Sequence, residues 1–257
     1  MFRLFFIALM MCSFLVSCAG TKRTEEENAI KADLNLQIAM SYIKSGNYPL
    51  ALKQLLIAEE LNPKSEVVQV HLGFVYYLRE SYELAEKHYQ KALRLKPDFS
   101  EAKNLMARMY IDTNRYNQAE ELLQQIIQDL TYQDFPKAYG HYGLLEFKRK
   151  KYSAAVPHLK KSLERDRENC ETNVLLGRSY LEMDQLALAV PQLDKSIPFC
   201  MSLESDEAHY YSAIALYRAG QKSKSRFRFE ELTKLFSNGK HYEKAQKMLE
   251  IIRKDSP

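Results

Sequence analysis

The sequence predicts an all-α fold: a solenoid of about six helical hairpins followed by a C-terminal capping helix. Composition is the first reason, because the 257 residues include only 8 glycines and 8 prolines, the residues that interrupt helices. Internal repetition is the second, because similar segments recur every 34 to 36 residues, the length of one helix-turn-helix unit. The chain is 46% hydrophobic and 27% charged, as in a globular rather than a disordered protein.

Three series of residues recur in one register and define the repeat. Small residues form the first series, at Ala39, Gly73, Ala107, Gly143, Gly177 and Ala213. A second small series is Ala51, Ala85, Ala119, Ala155, Ala189 and Ser225, and four positions after each stands a large residue: Leu55, Tyr89, Leu123, Leu159, Leu193 and Phe229. Small residues let the two helices of a hairpin approach closely, and large ones fill the gaps. A single hairpin cannot bury its own apolar face, so several have to stack.

The register also gives the boundaries of the repeats. The hairpins are predicted near residues 32–65, 66–99, 100–133, 136–169, 170–203 and 206–238, with an amphipathic cap at 240–254. Two of the spacings are 36 rather than 34, which places short insertions at 130–136 and near 201–205. A 34-residue unit with this pattern resembles the tetratricopeptide repeat. The resemblance implies a right-handed superhelical solenoid for residues 32–257.

The N-terminus has the proportions of a bacterial export signal. In residues 1–17, Arg3 precedes an apolar run of about thirteen residues, which is too short for a transmembrane helix. The run leads into Leu-Val-Ser-Cys at 15–18, which resembles the lipobox whose cysteine becomes lipidated. The alternative is an ordinary export signal in which Cys18 is incidental.

Lipidation of Cys18 would make the N-terminus a membrane anchor. Several acyl chains hold a protein on a bilayer stably, whereas one holds it only marginally. Ala19 follows the cysteine, and in Gram-negative lipoproteins of the usual kind this implies the periplasmic face of the outer membrane. Residues 18–31 are interpreted as the lipidated cysteine and a flexible polar tether.

Two further cysteines are predicted to form a disulfide bond. Cys170 begins the first helix of the fifth hairpin and Cys200 closes the second, and these ends lie side by side in an antiparallel hairpin. The periplasm is oxidising, so we expect the two thiols to be bonded. Two independent buried thiols are the alternative. Four cysteines in all, one of them in the signal, are too few for a disulfide scaffold.

No pattern in the sequence indicates catalysis, a cofactor or a metal. The chain has no phosphate-binding loop, no His-Glu-x-x-His and no Gly-x-Ser-x-Gly, and its 6 histidines are scattered. We therefore expect a protein that is not an enzyme and has no small-molecule substrate. A net charge of +4 argues against nucleic-acid binding. Basic stretches at 148–151 and 222–228 are interpreted as solvated faces, or as contacts to acidic partners or anionic lipids.

An apolar groove is predicted on the first helices of repeats one and two. The register leaves eight apolar residues without a role in hairpin packing: Leu36, Met40, Ile43, Val67, Val70, Phe74, Tyr77 and Leu78. Such patches usually mark protein contacts, so an amphipathic helix or an extended apolar peptide is the expected guest. Alternatively, the tether or residues 24–35 fold back and fill the groove, or the eight residues are plain core. The equivalent positions of repeat three are predicted to be ordinary polar surface: Asn104, Arg108, Ile111 and Asp112.

A lipoprotein of six such repeats and little else resembles the type IV pilus biogenesis and stability family, the pilotins of the PilW/PilF or Tgl type. The junction at 130–143, which contains Tyr132 and Pro136, is similar to an insertion of that family. The resemblance implies an outer-membrane assembly factor that binds the pilus secretin through its repeat groove. A generic periplasmic scaffold lipoprotein, for cell-envelope assembly or another secretion system, is the alternative.

Overall fold

A computed structural model describes residues 24–129 and 132–254, and in this part of the chain every regular element is a helix. This confirms the all-α class predicted from the sequence. The first helix, α1, covers residues 24–44. The others are α2 (Tyr48–Leu61), α3 (Glu66–Leu78), α4 (Tyr82–Leu95), α5 (Ser100–Asp112), α6 (Tyr116–Gln128), α7 (Phe135–Lys148), α8 (Tyr152–Leu163), α9 (Cys170–Glu182), α10 (Leu186–Met201), α11 (Glu207–Arg218), α12 (Lys222–Leu235) and α13 (Tyr242–Lys254).

Each predicted repeat contains two consecutive helices, and α13 lies where the cap was expected. A three-residue turn joins the two helices of every hairpin, and its central residue has a positive φ: Gly46, Glu80, Asn114, Lys150, Asp184 and Gly220. These residues are spaced like the small-residue series, which is independent support for the register. Only glycine adopts this left-handed conformation without a steric cost. The non-glycine residues at the centres of the four other turns therefore adopt it at a small cost in conformational energy.

The chain divides into two compact units, Met1–Leu105 (unit 1) and Met106–Pro257 (unit 2), with the boundary inside α5. In unit 1 a core of small and large apolar residues joins α1, α2 and α3: Ala32, Leu36, Ala39, Ala51, Leu55, Ala58, Val68, Leu72 and Val75. Close packing also governs the α3–α4 hairpin, since a Cβ atom on Gly73 would lie 2.7 Å from the buried ring of Tyr89. The small residue at this position therefore sets the distance between the two helices.

Unit 2 uses the same packing rule in its hairpins. A Cβ atom on Gly177 of α9 would lie 2.5 Å from Leu193 of α10, and one on Gly143 of α7 would collide with Leu159 of α8. Cys170 and Cys200, the pair expected from the sequence, are bonded with their sulfurs 2.05 Å apart. The bond joins residues 30 positions apart, a loop whose closure contributes about 3–4 kcal/mol in the chain-entropy model.

The predicted tether is wrong for residues 24–31, because these residues are the first two turns of α1. The segment is polar, but it is rich in Glu, Ala and Lys, which are good helix formers. Its glutamates stand at the N-terminal end, where the helix dipole favours negative charge. The alternative that residues 24–35 fold back as a separate segment is wrong for the same reason. Residues 1–23, including Cys18, lie outside the described residues.

Candidate partner-binding surfaces

Seven of the eight predicted groove residues are buried or half-buried, and Met40 is the one that is exposed. Leu36 and Val70 are only 7% and 1% exposed, so both are core residues and the groove prediction is wrong for them. Ile43 and Val67 are partly buried and pack against the core of unit 1. Leu78 is half-buried as well. Helix α3 packs on α2 and on α4, so more of its circumference is covered than its register alone suggests.

Phe74, Tyr77 and Tyr82 form an aromatic surface in unit 1, and each of the three side chains is half-buried and so partly exposed. The ring centroids of Phe74 and Tyr77 are 6.3 Å apart, and those of Tyr77 and Tyr82 are also 6.3 Å apart. Aromatic side chains contribute large contact areas at protein interfaces. Met40, on α1, is 48% exposed. Tyr82 was not among the predicted groove residues.

A second apolar surface in unit 1 lies along α1 and consists of Ile30, Leu34 and Ile38. All three side chains are exposed, Ile30 to 71%. Residues four apart share one helix face, so they form a continuous stripe. The sequence analysis missed the stripe because it assigned Ile30 to the tether and stopped the periodic pattern there.

Also in unit 1, a polar network joins α2, α3 and α4. Lys91 is 2.7 Å from Glu59, and the fully buried Gln69 donates to Glu59 at 2.9 Å and pairs with His88 at 2.8 Å. Burial raises the pKa of Glu59, but hydrogen bonds from Lys91 and Gln69 outweigh it, so the pKa is lowered overall. Burial lowers the pKa of His88. At neutral pH the network therefore holds an ionised Glu59 and a neutral His88.

The polar surface predicted for repeat three is wrong. Asn104 and Ile111 are buried. Arg108 is in ion pairs with Asp112 at 3.0 Å and with Glu171 of α9 at 2.9 Å. Burial lowers the pKa of Arg108, but the two carboxylates outweigh that effect and raise its pKa above the ordinary value. The Arg108–Glu171 pair could not be predicted from local spacing, because its members are 63 positions apart.

Arg108 lies at one end of a cleft of about 390 Å³ in unit 2, which we call the unit 2 cleft. Helices α7, α9 and α11 are the first helices of three consecutive hairpins, and α9 contacts both α7 and α11. These three helices supply most of the residues that line the cleft. Buried apolar side chains form part of the lining: Leu144, Val174 and Leu175. The remaining lining is polar or aromatic: Arg108, Asp112, Phe147, Lys148, Lys150, Tyr152, Glu171, Arg178, Glu207 and Lys240.

The side chain of Arg178 is fixed in this cleft by three neighbours. Its Nη1 donates to Glu207 at 2.7 Å. Its guanidinium carbon lies 4.1 Å from the ring centroid of Tyr211 and 4.7 Å from that of Phe147, so the cation lies against two aromatic faces. The cleft therefore presents a cation whose position does not have to be ordered on binding.

The basic stretch at 148–151 divides into two kinds of residue. Arg149 is half-buried and is in ion pairs with Glu120 at 2.8 Å and Glu146 at 3.1 Å, so its role is structural. Lys148 and Lys150 are exposed and line the unit 2 cleft. Neither has an ion-pair partner in the part of the chain that the structure describes.

Within residues 24–129 and 132–254, no group of three His, Cys, Asp or Glu side chains is arranged to hold a metal ion. Over the same residues, none of the helices combines the length and the apolar character needed to cross a membrane.

The hairpin geometry and the 34-residue register define a tetratricopeptide repeat protein. One tetratricopeptide repeat model matches residues 36–98 and 104–169, and a second matches residues 76–131. Together these matches cover half of the chain, which therefore belongs to the tetratricopeptide repeat family. This fold typically serves binding rather than catalysis.

Among individual proteins, the chain is similar to the type IV pilus assembly protein PilF of Pseudomonas aeruginosa. The two are 24% identical over 168 residues, which cover 62% of this chain and 67% of that protein. The solved structure of P. aeruginosa PilF superposes with a TM-score of 0.73 at 19% identity, over 86% of this chain and 99% of PilF. The solved structure of PilW, a widely conserved type IV pilus biogenesis factor, superposes with a TM-score of 0.74 at 19% identity, over 84% of this chain and 98% of PilW.

Proposed function

We propose that this protein is an outer-membrane lipoprotein that acts as a pilotin, an assembly factor for the secretin of a type IV pilus. The observation that carries the proposal is the similarity to PilF and PilW, because both are named for type IV pilus assembly or biogenesis. The aromatic surface of unit 1 supports it, since an assembly factor needs an accessible apolar surface for its protein partner.

In this proposal, lipid on Cys18 holds unit 1 next to the bilayer. Five residues, 19–23, separate Cys18 from residue 24 of α1, and the six residue-to-residue steps of an extended chain over this distance reach at most about 20 Å. A secretin segment bound to unit 1 would therefore be kept within a thin layer at the membrane. Such tethering raises the effective concentration of secretin subunits and favours their assembly without any additional contact.

The secretin segment proposed to bind unit 1 is apolar, either an amphipathic helix or an extended peptide. Phe74 and Tyr77 are central to the contact because they are accessible and lie in one aromatic row. Leu36 and Val70 stabilise the helices underneath and do not touch the partner, because they are buried. The proposed contact therefore involves fewer residues than the groove predicted from the sequence.

The anchor is tested by fractionating cells that produce the protein or its Cys18→Ser variant. We expect the unaltered protein in the outer-membrane fraction and the variant in the soluble periplasmic fraction. Cys12→Ser is the matched control, because Cys12 belongs to the apolar run of the signal, and it should fractionate like the unaltered protein. An unaltered protein that stays soluble contradicts the lipoprotein proposal.

The aromatic surface is tested with Phe74→Glu, which places a charge in the proposed contact. We expect the amount of heat-stable secretin multimer in cell envelopes to fall at least about tenfold, because a buried unpaired charge is strongly unfavourable at an interface. Leu56→Glu adds the same charge at an exposed apolar position of α2 and should leave the multimer near its normal level. The helical circular dichroism of both variants should match that of the unaltered protein. Normal multimer levels in Phe74→Glu would rule out this surface.

The alternative function, a general scaffold for cell-envelope assembly, predicts different partners. Proteins that co-purify with the lipidated protein from detergent-solubilised envelopes can be identified by mass spectrometry. Recovery of a pilus secretin that is lost in Phe74→Glu supports the pilotin proposal. Recovery of cell-wall enzymes without any secretin would assign the protein to the scaffold class instead.

A further inference from the structure

We infer that the unit 2 cleft binds an acidic, extended segment of a protein partner, at a site separate from the aromatic surface of unit 1. The first reason is the charge of its lining. Five cationic and three anionic side chains face the cleft, which gives it a net charge of +2. The carboxylates of Asp112, Glu171 and Glu207 are already in ion pairs with Arg108 or Arg178.

The surplus positive charge resides on three lysines, Lys148, Lys150 and Lys240. All three are exposed and border the cleft. None has a carboxylate within ion-pair distance among the residues that the structure describes. Because these lysines have no ion-pair partner, they attract an anionic segment electrostatically. No existing ion pair has to be broken before the segment binds.

The two arginines make the cleft rigid, and its apolar lining adds a second contact. Ion pairs and aromatic faces fix Arg108 and Arg178 before any ligand arrives, so little side-chain entropy is lost on binding. Phe147 and Tyr152, which are half-buried and line the cleft, offer an aromatic surface to an apolar side chain that stands between the acidic ones. The pattern that fits is therefore acidic residues with apolar residues interspersed.

The spacing of the helices determines the length of the segment. Neighbouring packed helices lie about 8–10 Å apart, and the cleft is lined by the first helices α5, α7, α9 and α11. Among these helices, α9 contacts both α7 and α11, and these two steps span about 16–20 Å, which an extended peptide covers with roughly five or six residues. A compact dianion fits less well, because Lys148 and Lys150 lie at the end of α7 and Lys240 precedes α13. An extended peptide can place a carboxylate beside each of the three lysines.

The test uses the purified full-length protein and a fluorescein-labelled peptide, Glu-Asp-Leu-Glu-Asp-Leu-Glu-Asp, with both ends blocked. We expect saturable binding measured by fluorescence anisotropy, with an affinity that falls as salt is added. A matched peptide with Gln and Asn in place of Glu and Asp should bind at least about tenfold more weakly. The variant that combines Lys148→Gln, Lys150→Asn and Lys240→Gln should bind the acidic peptide more weakly by a similar factor. Asn is used at position 150 because it tolerates the positive φ of that residue.

The control variant removes three exposed lysines elsewhere in unit 2, through Lys195→Gln, Lys244→Gln and Lys247→Gln. It has the same net charge as the cleft variant and should bind the acidic peptide within about twofold of the unaltered protein. Equal binding by the two variants, equal binding of the two peptides, or no saturable binding overturns the inference. Binding to phosphatidylglycerol vesicles that is lost in the cleft variant, without peptide binding, would reassign the cleft to lipid.

Discussion

Replacing Ala85 by tryptophan is expected to destabilise unit 1 by about 3 kcal/mol or more, because the side chain has no room at that position. Ala85 of α4 is fully buried, as is Tyr89 one turn later. The α3 backbone at Gly73 approaches so closely that even a Cβ atom there would lie 2.7 Å from the Tyr89 ring. An indole at Ala85 would force the two helices apart. Thermal unfolding followed by circular dichroism should show a midpoint about 6–12 °C lower.

Lys87→Trp is the matched control, because Lys87 is exposed two positions further along the same helix. It introduces the same side chain on the solvent face and should leave the midpoint nearly unchanged. A tryptophan at 85 that melts like the control would show that the helices do not pack through the small-residue series. The repeat register would then have to be reassigned.

Loss of the Asp206 carboxylate in Asp206→Ala is expected to cost about 3–5 kcal/mol and to release the C-terminal cap. Asp206, which precedes α11, and His241, which precedes α13, are both buried. Asp206 accepts hydrogen bonds from the His241 backbone N–H at 2.6 Å and from its Nδ1 at 2.8 Å. The His241 ring also stacks on Tyr210, at 4.5 Å between centroids. Without the carboxylate, buried donors of His241 have no acceptor, and such groups are costly.

Chemical denaturation measures the stability loss, and amide hydrogen exchange identifies where the structure opens. Faster exchange should be concentrated in α13, whose first turn follows His241. Glu164→Ala is the control, since Glu164 is an exposed carboxylate of unit 2 that pairs only with the neighbouring Lys161, and exposed pairs contribute little. Unchanged exchange in α13 of the Asp206→Ala protein would show that the cap is held by its apolar contacts alone.

The repeat register and the hairpin boundaries could be predicted because they depend on local spacing. Small residues such as Gly73, Gly177 and Ala85 mark the helix contacts, and their periods follow directly from the chain. The disulfide pair followed from the same register, since it places Cys170 and Cys200 at adjacent ends of one hairpin.

The candidate sites were harder to predict because burial depends on neighbouring hairpins. Leu36 and Val70 were assigned to a groove since the register shows which face a residue occupies, but not how deeply adjacent helices cover it. Arg108 was assigned to an ordinary surface because its partner Glu171 is distant in sequence. A polar residue with a remote partner gives no local signal, which is also why the unit 2 cleft was not foreseen.

The Cys170–Cys200 bond has a consequence for how the protein comes apart. Repeat proteins unravel from their ends, because a terminal repeat has only one neighbour to hold it. Local unfolding that starts at α13 extends through α12 and α11. It then reaches α9 and α10, which the disulfide bond joins covalently. The oxidised protein therefore has an internal barrier to fraying, and the segment from α11 to α13, about a fifth of the chain, can open and close while the rest of unit 2 stays folded.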